Sequence, residues 1–545
     1  MNRAIAFLVS AFVLISLSVC SKQQSANFSS TSEYSPVTLS CTMFDVDTDT
    51  KDPIWTYLQE RFNVKINAIS VTGDDFEEKT RLLISSNDMP SIMWLDLDES
   101  NFSEYARWAS EGMFAEWPSM DVLKEKYPNI YAQYILPDNY AVELVTIKGK
   151  QYAHPVLRDN PETGFLSGES WMYRRDWAKQ LGLYREDDIY TWEEWTNLCR
   201  AFVVNDPGNN GRGKTIGMGT ASYYFPDAFG IYQTSSEYGY GAFSPQNGKY
   251  VWTAAREETL EGLQIAKTLW DEGLIWQDNH LGKSADDQYT AGLMGMIFQN
   301  YVVGRVSNTM LDMKRNFPDI DEYDACALAK VIGPEGTFWA NQSPCFYGIV
   351  VMNAKINDEV KTRFLTMLNW LYSDEGQWLQ QYGIEGSDYL VEIINGERRA
   401  KCLWPESEII SGALEYPYSN RTWFYCYARI INQQVAPDVR VPQTVRDITN
   451  EKFQFFSENA FIRRADFASS YVDSPAMNRT GNFTAQVNEK QIELLLGANR
   501  GDLSELWRRW IASMMPRVQP VLDDLNSSIK DIPQEMQPKK TTTNQ

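Results

Sequence analysis

Residues 171–217 carry an ordered series of start and stop signals that commits this part of the chain to a compact α/β unit. Trp171 to Arg174 is a short apolar-edged run. Residues 176–181 read as a helix, closed by Leu181 and Gly182, with glycine at the usual stop position. Thr191 stands three residues before Glu194, the spacing of a capping box, so a second helix opens at Trp192. Its apolar residues Trp192, Trp195, Leu198 and Phe202 recur at helical spacing. Asp206-Pro207-Gly208-Asn209-Asn210-Gly211 has the composition of a tight turn, and 214–218 reads as the strand after it.

The same alternation runs through the rest of the chain. Residues 37–43 read as a strand, 54–62 as a helix, 64–69 as a strand, 76–86 as a helix and 90–94 as a third strand. This β-α-β-α-β order is the pattern of a parallel sheet covered by helices. Further on, 151–157 is a strand and 258–273 an amphipathic helix. Residues 292–298 and 347–352 are strands, 364–378 is a helix, and 492–525 is mostly helical. No eight-fold βα repeat is visible, so a closed barrel is not the expected fold.

The series Arg174, Asp176, Trp177, Leu181-Gly182-Leu183, Thr191-Trp192, Glu194, Asp206-Pro207, Asn210-Gly211, Thr215 and Gly217 resembles the family 1 extracellular solute-binding proteins of bacterial ABC importers. A second set is independent of the first: Tyr372-Ser373-Asp374-Glu375-Gly376 with Tyr382-Gly383-Ile384-Glu385-Gly386 is similar to the family's Y-S-x-E-G and Y-G-I-E-G elements. The resemblance spans residues 37–525 and is thinnest over 390–480. It implies an α/β fold of the periplasmic-binding-protein type II class, with two lobes, a hinge and a cleft between them. Lobe one is expected over 37–155 plus 345–400, and lobe two over 160–340 plus 401–525, which includes the C-terminal helices.

The N-terminus reads as an export signal. Arg3 precedes a mostly apolar run over 4–19, shorter than the roughly 20 residues that span a bilayer. Leu17-Ser18-Val19-Cys20 resembles a bacterial lipobox, with Val19 in place of the usual small residue. The expectation is a signal peptide over 1–19, a lipidated Cys20, and a Ser/Gln/Asn-rich tether over 20–36. Residues 526–545 read as a disordered tail. The resulting location is extracytoplasmic, held at the bacterial cell membrane by lipid.

Charge narrows the partners. The net charge of −22 leaves no basic surface for nucleic acid or for anionic lipid. The 18 Trp and 29 Tyr suit packing and also suit a carbohydrate cleft, because flat rings stack on the C–H faces of sugars. Six cysteines follow Cys20 without metal-clip spacing, and the sequence leaves their pairing open between free thiols and one or two bridges.

Only two histidines, His154 and His280, are present, and they lie far apart. His154 sits in an apolar strand and reads as structural. No Ser-His-Asp system, P-loop or H-E-x-x-H motif is apparent. Catalytic residues, cofactors and a metal are therefore not expected. In the turn at 206–217, where some family members carry an EF-hand-like calcium loop, Gly208 and Lys214 replace carboxylates and no Glu closes the loop.

By resemblance, the ligand contacts fall on strand-end loops, where open α/β folds bind ligands. These are Asp45 and Asp47 after the first strand; Trp94, Asp96 and Asp98 at the third; Tyr223 and Tyr224; Asn300 and Tyr301; and Trp339 with Asn341. The function implied is a monomeric, non-enzymatic receptor that delivers a carbohydrate, an oligosaccharide, to ABC permease subunits. A secreted carbohydrate-active enzyme and a ligand-presenting receptor for a sensor kinase are the alternatives.

Overall fold

The structure is a computed structural model. It describes residues 34–44, 53–71, 76–96, 102–136, 141–157, 166, 169–220, 243–281, 284–342, 345–394, 396–403, 427–428, 441–464, 474–476, 483–497 and 502–531. Strands β1 (Val37–Phe44), β2 (Val64–Val71) and β3 (Ile92–Leu95) alternate with helices α1 (Pro53–Phe62) and α2 (Phe76–Ser85), and β4 (Ala153–Leu157) follows. The chain then builds a second sheet from β5 (Glu169–Arg174), β6 (Ile189–Tyr190), β7 (Ile216–Thr220), β8 (Met294–Asn300) and β9 (Cys326–Val331). Strand β10 (Trp339–Gln342) leads to β11 (Phe346–Met352), which rejoins the first sheet.

The first sheet has the order β2-β1-β3-β11-β4, and the second β6-β9-β5-β8-β7. Each contains one strand that runs against its neighbours: β11 is antiparallel to β3 and β4, and β5 is antiparallel to β8 and β9. All four residues of β3 and all five of β4 are buried, which is why these strands read as apolar runs without alternation. The mixed α/β architecture with two sheets is the one the resemblance implies, and among the described residues no sheet closes into a barrel.

Local signals act where the sequence places them. Thr191 caps the helix α3 (Trp192–Asn205) through a complete capping box with Glu194, and Asp206 ends it in the left-handed conformation. Gly182 takes φ +69° after the preceding helix. The single helix expected over 364–378 is two, α4 (Asp358–Leu371) and α5 (Asp374–Tyr382). Ser373 starts the second by accepting from the Gly376 amide. At Gly376 a side chain would meet the Trp370 carbonyl, so the two helices turn closely on each other. The helical region at 492–525 is likewise divided between α6 (Phe483–Leu496) and α7 (Leu503–Ser527), the latter capped by Asp502.

Each sheet has its own core. Around the first sheet pack Leu39, Cys41, Trp94, Val156, Val350 and Leu368. Around the second pack Tyr173, Trp195, Phe202, Leu263, Met296 and Trp507. Tyr427 and Ala428 belong to the first core, where the Tyr427 hydroxyl donates to the Thr42 carbonyl at 2.5 Å. Val441 and Val445 belong to the second side again. The expected assignment of all of 401–525 to lobe two is therefore corrected at 427–428. A buried tyrosine anchored on β1 outweighs sequence proximity to the C-terminal helices. Among the described residues, the chain changes side between Leu157 and Glu169, between Gln342 and Cys345, and between Ala428 and Val441. Cys41, Cys199, Cys326 and Cys345 are buried free thiols, and Cys402 is a half-buried one.

Candidate functional site: the paired strand-end edges

The topology fixes where a ligand can sit. β1 to β4 point their carboxyl ends to one edge of the first sheet, and antiparallel β11 enters at that same edge. In the second sheet β6 to β9 do the same, and β5 enters there. Both early crossings, β4 to β5 and β10 to β11, thus join one carboxyl-end edge to the other. Open α/β sheets bind ligands outside the carboxyl ends of their strands, where loops supply adaptable side chains on a rigid base.

The expected contacts divide into three groups. Asp45, Asp47, Asp98, Tyr223 and Tyr224, with Cys20, lie outside the described residues. Asp96, Asn300, Trp339 and Asn341 stand at the paired edges. Asp96 is exposed directly after β3. Asn300 ends β8, in register with Glu169. Trp339 and Asn341 lie on β10.

Trp94 and Tyr301 are corrections. Trp94 is 1% exposed and packs within the first core, with its amide donating to Thr42 Oγ1 at 3.2 Å. A strand covered on both faces turns even its late residues inward. Tyr301 is fully buried among Met172, Tyr289, Val306 and Met310, and burial pushes its phenol well above the usual range. Both rings are core.

Other residues at the second edge escaped the sequence reading. β10 pairs in parallel with β12 (Phe461–Arg464), placing Trp339 opposite Phe461 and Asn341 opposite Arg463. The Trp339 and Phe461 rings meet edge to face at 4.7 Å and 67°. Behind the ribbon, helix α8 (Gln443–Asn459) buries Lys452 with its ammonium 4.7 Å from the Phe453 ring. Burial lowers the Lys452 ammonium to about 8, and the Glu169 charge partly opposes that shift. The only sequence signal for this region was the apolar-aromatic content of residues 453–462, inside the stretch where the family resemblance is thinnest.

No histidine is set up as a base at these edges. His154 on β4 lies between Tyr134, whose hydroxyl is 2.8 Å from Nδ1, and Tyr372, whose hydroxyl is 2.9 Å from Nε2. Its ring stacks on Trp117 at 5.7 Å, and burial lowers its pKa to about 3. A neutral imidazole donates from one nitrogen and accepts at the other, so one tyrosine accepts and the other donates. His280 is half-buried against Trp270.

The residues of the turn at 206–215 do not fit a calcium ion. Asp206 Oδ1 accepts from the Asn210 amide at 2.9 Å and from Thr215 Oγ1 at 2.5 Å, and Oδ2 accepts from the Gly211 amide at 2.8 Å. The Asn210 side-chain amide donates to the Gly292 carbonyl at 3.0 Å. Three hydrogen-bond donors engage this carboxylate. Among the described residues no group of three or more His, Cys, Asp or Glu side chains is placed to hold a metal.

Two sheets with opposed binding edges, joined by crossings, define a two-lobed binding protein. Residues 56–384 match the family model described as bacterial extracellular solute-binding protein. The chain belongs to that family. It is 23% identical over 382 residues to Lipoprotein LipO of Bacillus subtilis (strain 168), a match covering 68% of this chain and 70% of that protein. It is 23% identical over 346 residues to the polygalacturonan/rhamnogalacturonan-binding protein YtcQ of the same organism, covering 62% of this chain and 64% of that protein. Among solved structures, alginate-binding protein AlgQ2 without calcium ion superposes with a TM-score of 0.66 at 16% identity, covering 90% of this chain and 97% of that one. That likeness is one of fold.

Proposed function

We propose that this chain is the extracytoplasmic receptor of an ABC importer, that it captures an oligosaccharide between its two lobes, and that it releases the ligand unaltered to the permease. The carrying observation is the topology: two crossings tie one strand-end edge to the other, so a ligand held by both sheets is enclosed when the lobes close. The carbohydrate assignment is supported by the polygalacturonan/rhamnogalacturonan-binding relative and the alginate-binding structural neighbour. Lobe one comprises 37–155 and 345–400 with 427–428; lobe two comprises 160–340 with most of 441–525. Asp96, Asn300, Trp339 and Asn341 contact the sugar, together with Asp45, Asp47, Asp98, Tyr223 and Tyr224. A lipidated Cys20 holds the monomer at the membrane.

The test is incubation of the purified protein with oligogalacturonides, alginate oligomers and neutral gluco-oligosaccharides, followed by melting and by chromatography of the glycans. A raised melting temperature with the glycan recovered intact is the expected result. Release of shortened products would replace the receptor with an enzyme. No shift with any glycan would remove the carbohydrate assignment.

A further inference from the structure

We infer that Phe461, paired with Trp339, is a stacking platform for a sugar ring on the wall of the second crossing; the inference rests on the carbohydrate reading above and gives it a contact residue outside the family's motifs. The two-stranded ribbon of β10 and β12 has two unlike faces. Phe338 and Ala340 turn to one side and pack with Phe453, Phe455 and Phe456 of α8. The Phe338 ring lies 5.0 Å from Phe455 and 6.2 Å from Phe456, both edge to face. Leu166, from the first crossing, joins this same cluster. Strand alternation then puts Trp339 and Phe461 on the opposite face.

That face is not closed over. Phe461 is 57% exposed, more than any other aromatic ring among the described residues. The next most exposed, Phe317, has an evident structural duty: it covers Gly292 and lies 5.9 Å from the Arg174 guanidinium. Phe461 has no such duty on its outer side. An exposed ring at a strand-end edge offers a flat apolar face to a ligand. Its edge-to-face partner Trp339 holds it at a fixed angle, so one ring face is pre-oriented. β10 ends just before the return to β11, and Leu166, between β4 and β5, packs on the ribbon's other face, so the ribbon lies beside both connections between the sheets. The occupant that suits a rigid aromatic face at that place is the C–H face of a pyranose. The register pair Asn341 and Arg463 lies two residues along the ribbon.

The experiment compares the full chain with Phe461→Ala, Phe461→Leu and Phe461→Trp by calorimetry, using the glycan from the oligogalacturonide, alginate and gluco-oligosaccharide set that binds the wild type most tightly. Phe461→Ala and Phe461→Leu are expected to bind about tenfold or more weakly, the scale of one aromatic contact, while Phe461→Trp stays within about threefold. Melting temperatures without ligand stay close to wild type for Leu and Trp, because the ring's outer face is exposed. Affinity of Phe461→Leu within about twofold of wild type overturns the platform whatever the alanine variant does, since leucine keeps the ribbon packed and removes only the π face. A wild type that binds none of the three glycan classes overturns the carbohydrate reading and the platform with it.

Discussion

Gly348 takes φ +110° directly beneath Trp94, and a Cβ placed there would lie 2.5 Å from the indole. The register of β11 shifts between Phe346 and Ile349, so this glycine sits in the irregular step by which the strand enters the first sheet. The tryptophan that the sequence offered as a ligand contact instead fills the space under the returning strand.

Two substitutions follow from that contact. Trp94→Ala leaves a cavity in the first core and is expected to cost about 3–5 kcal/mol of stability. Gly348→Ala adds backbone strain and a clash, expected to cost about 1–3 kcal/mol. Denaturant titration of each variant measures this. A Trp94→Ala protein with wild-type stability and lost glycan affinity would return the residue to the ligand site.

The turn at 206–215 makes a second expectation. Its carboxylate is engaged by two amides and the Thr215 hydroxyl, the hydroxyl being the strongest of the influences that lower the Asp206 pKa. Chelator is therefore expected to leave the melting temperature unchanged, while Thr215→Val lowers it. A drop with EDTA that calcium restores would show that carbonyl oxygens and water make a site without the missing carboxylates.

His154 predicts a pH dependence. Its folded pKa is about 3 against about 6.5 in the unfolded chain, lowered by burial. Below about pH 6.5 the unfolded state binds a proton that the folded state refuses, so stability is full above that pH and falls as acid approaches pH 3. The slope from this residue is at most about 1.4 kcal/mol per pH unit. Comparing wild type with His154→Gln between pH 4.5 and 7.5 isolates it: the variant's stability is expected to lose that part of the slope. Parallel curves would assign the acid sensitivity elsewhere.

Thr191 supplies the simplest measurement. Its hydroxyl accepts from the Glu194 amide at 3.2 Å, and the Glu194 carboxylate accepts from the Thr191 amide at 2.9 Å. Thr191→Ala is expected to cost about 1 kcal/mol by denaturant titration, and Thr191→Ser to recover most of it.

These outcomes separate what the sequence carried from what it did not. The residues that revealed the family serve the scaffold. Arg174 holds Asp176 with a forked pair of bonds and lies 4.5 Å over Trp177, while Asp206 closes its own turn and Asn210 ties that turn to Gly292. Arg174 ends antiparallel β5, and Gly292 precedes β8, so these groups gather at the edge opposite the carboxyl ends of the parallel strands. Caps, turns and glycines are local chemistry and were legible. Whether Trp94 or Tyr301 faces a cleft depends on which strand lies across it, and β11 comes from a point far along the chain. Phe461 gained its place from a pairing with residues more than a hundred positions earlier, which no periodicity within 453–464 encodes.

The strand pairings also set an order of events during synthesis. Among the described residues, β4 pairs within its sheet only with β11, so residues 153–157 have no described partner strand until residues 346–352 have been made. All five strands of the second sheet are complete by Val331. The sheet in the middle of the chain can therefore be completed first, while β3 and β4 emerge early and wait for β11 to join them. The first sheet to start is thus the last to be completed, which keeps an edge of it unpaired until more than half of the chain has been made.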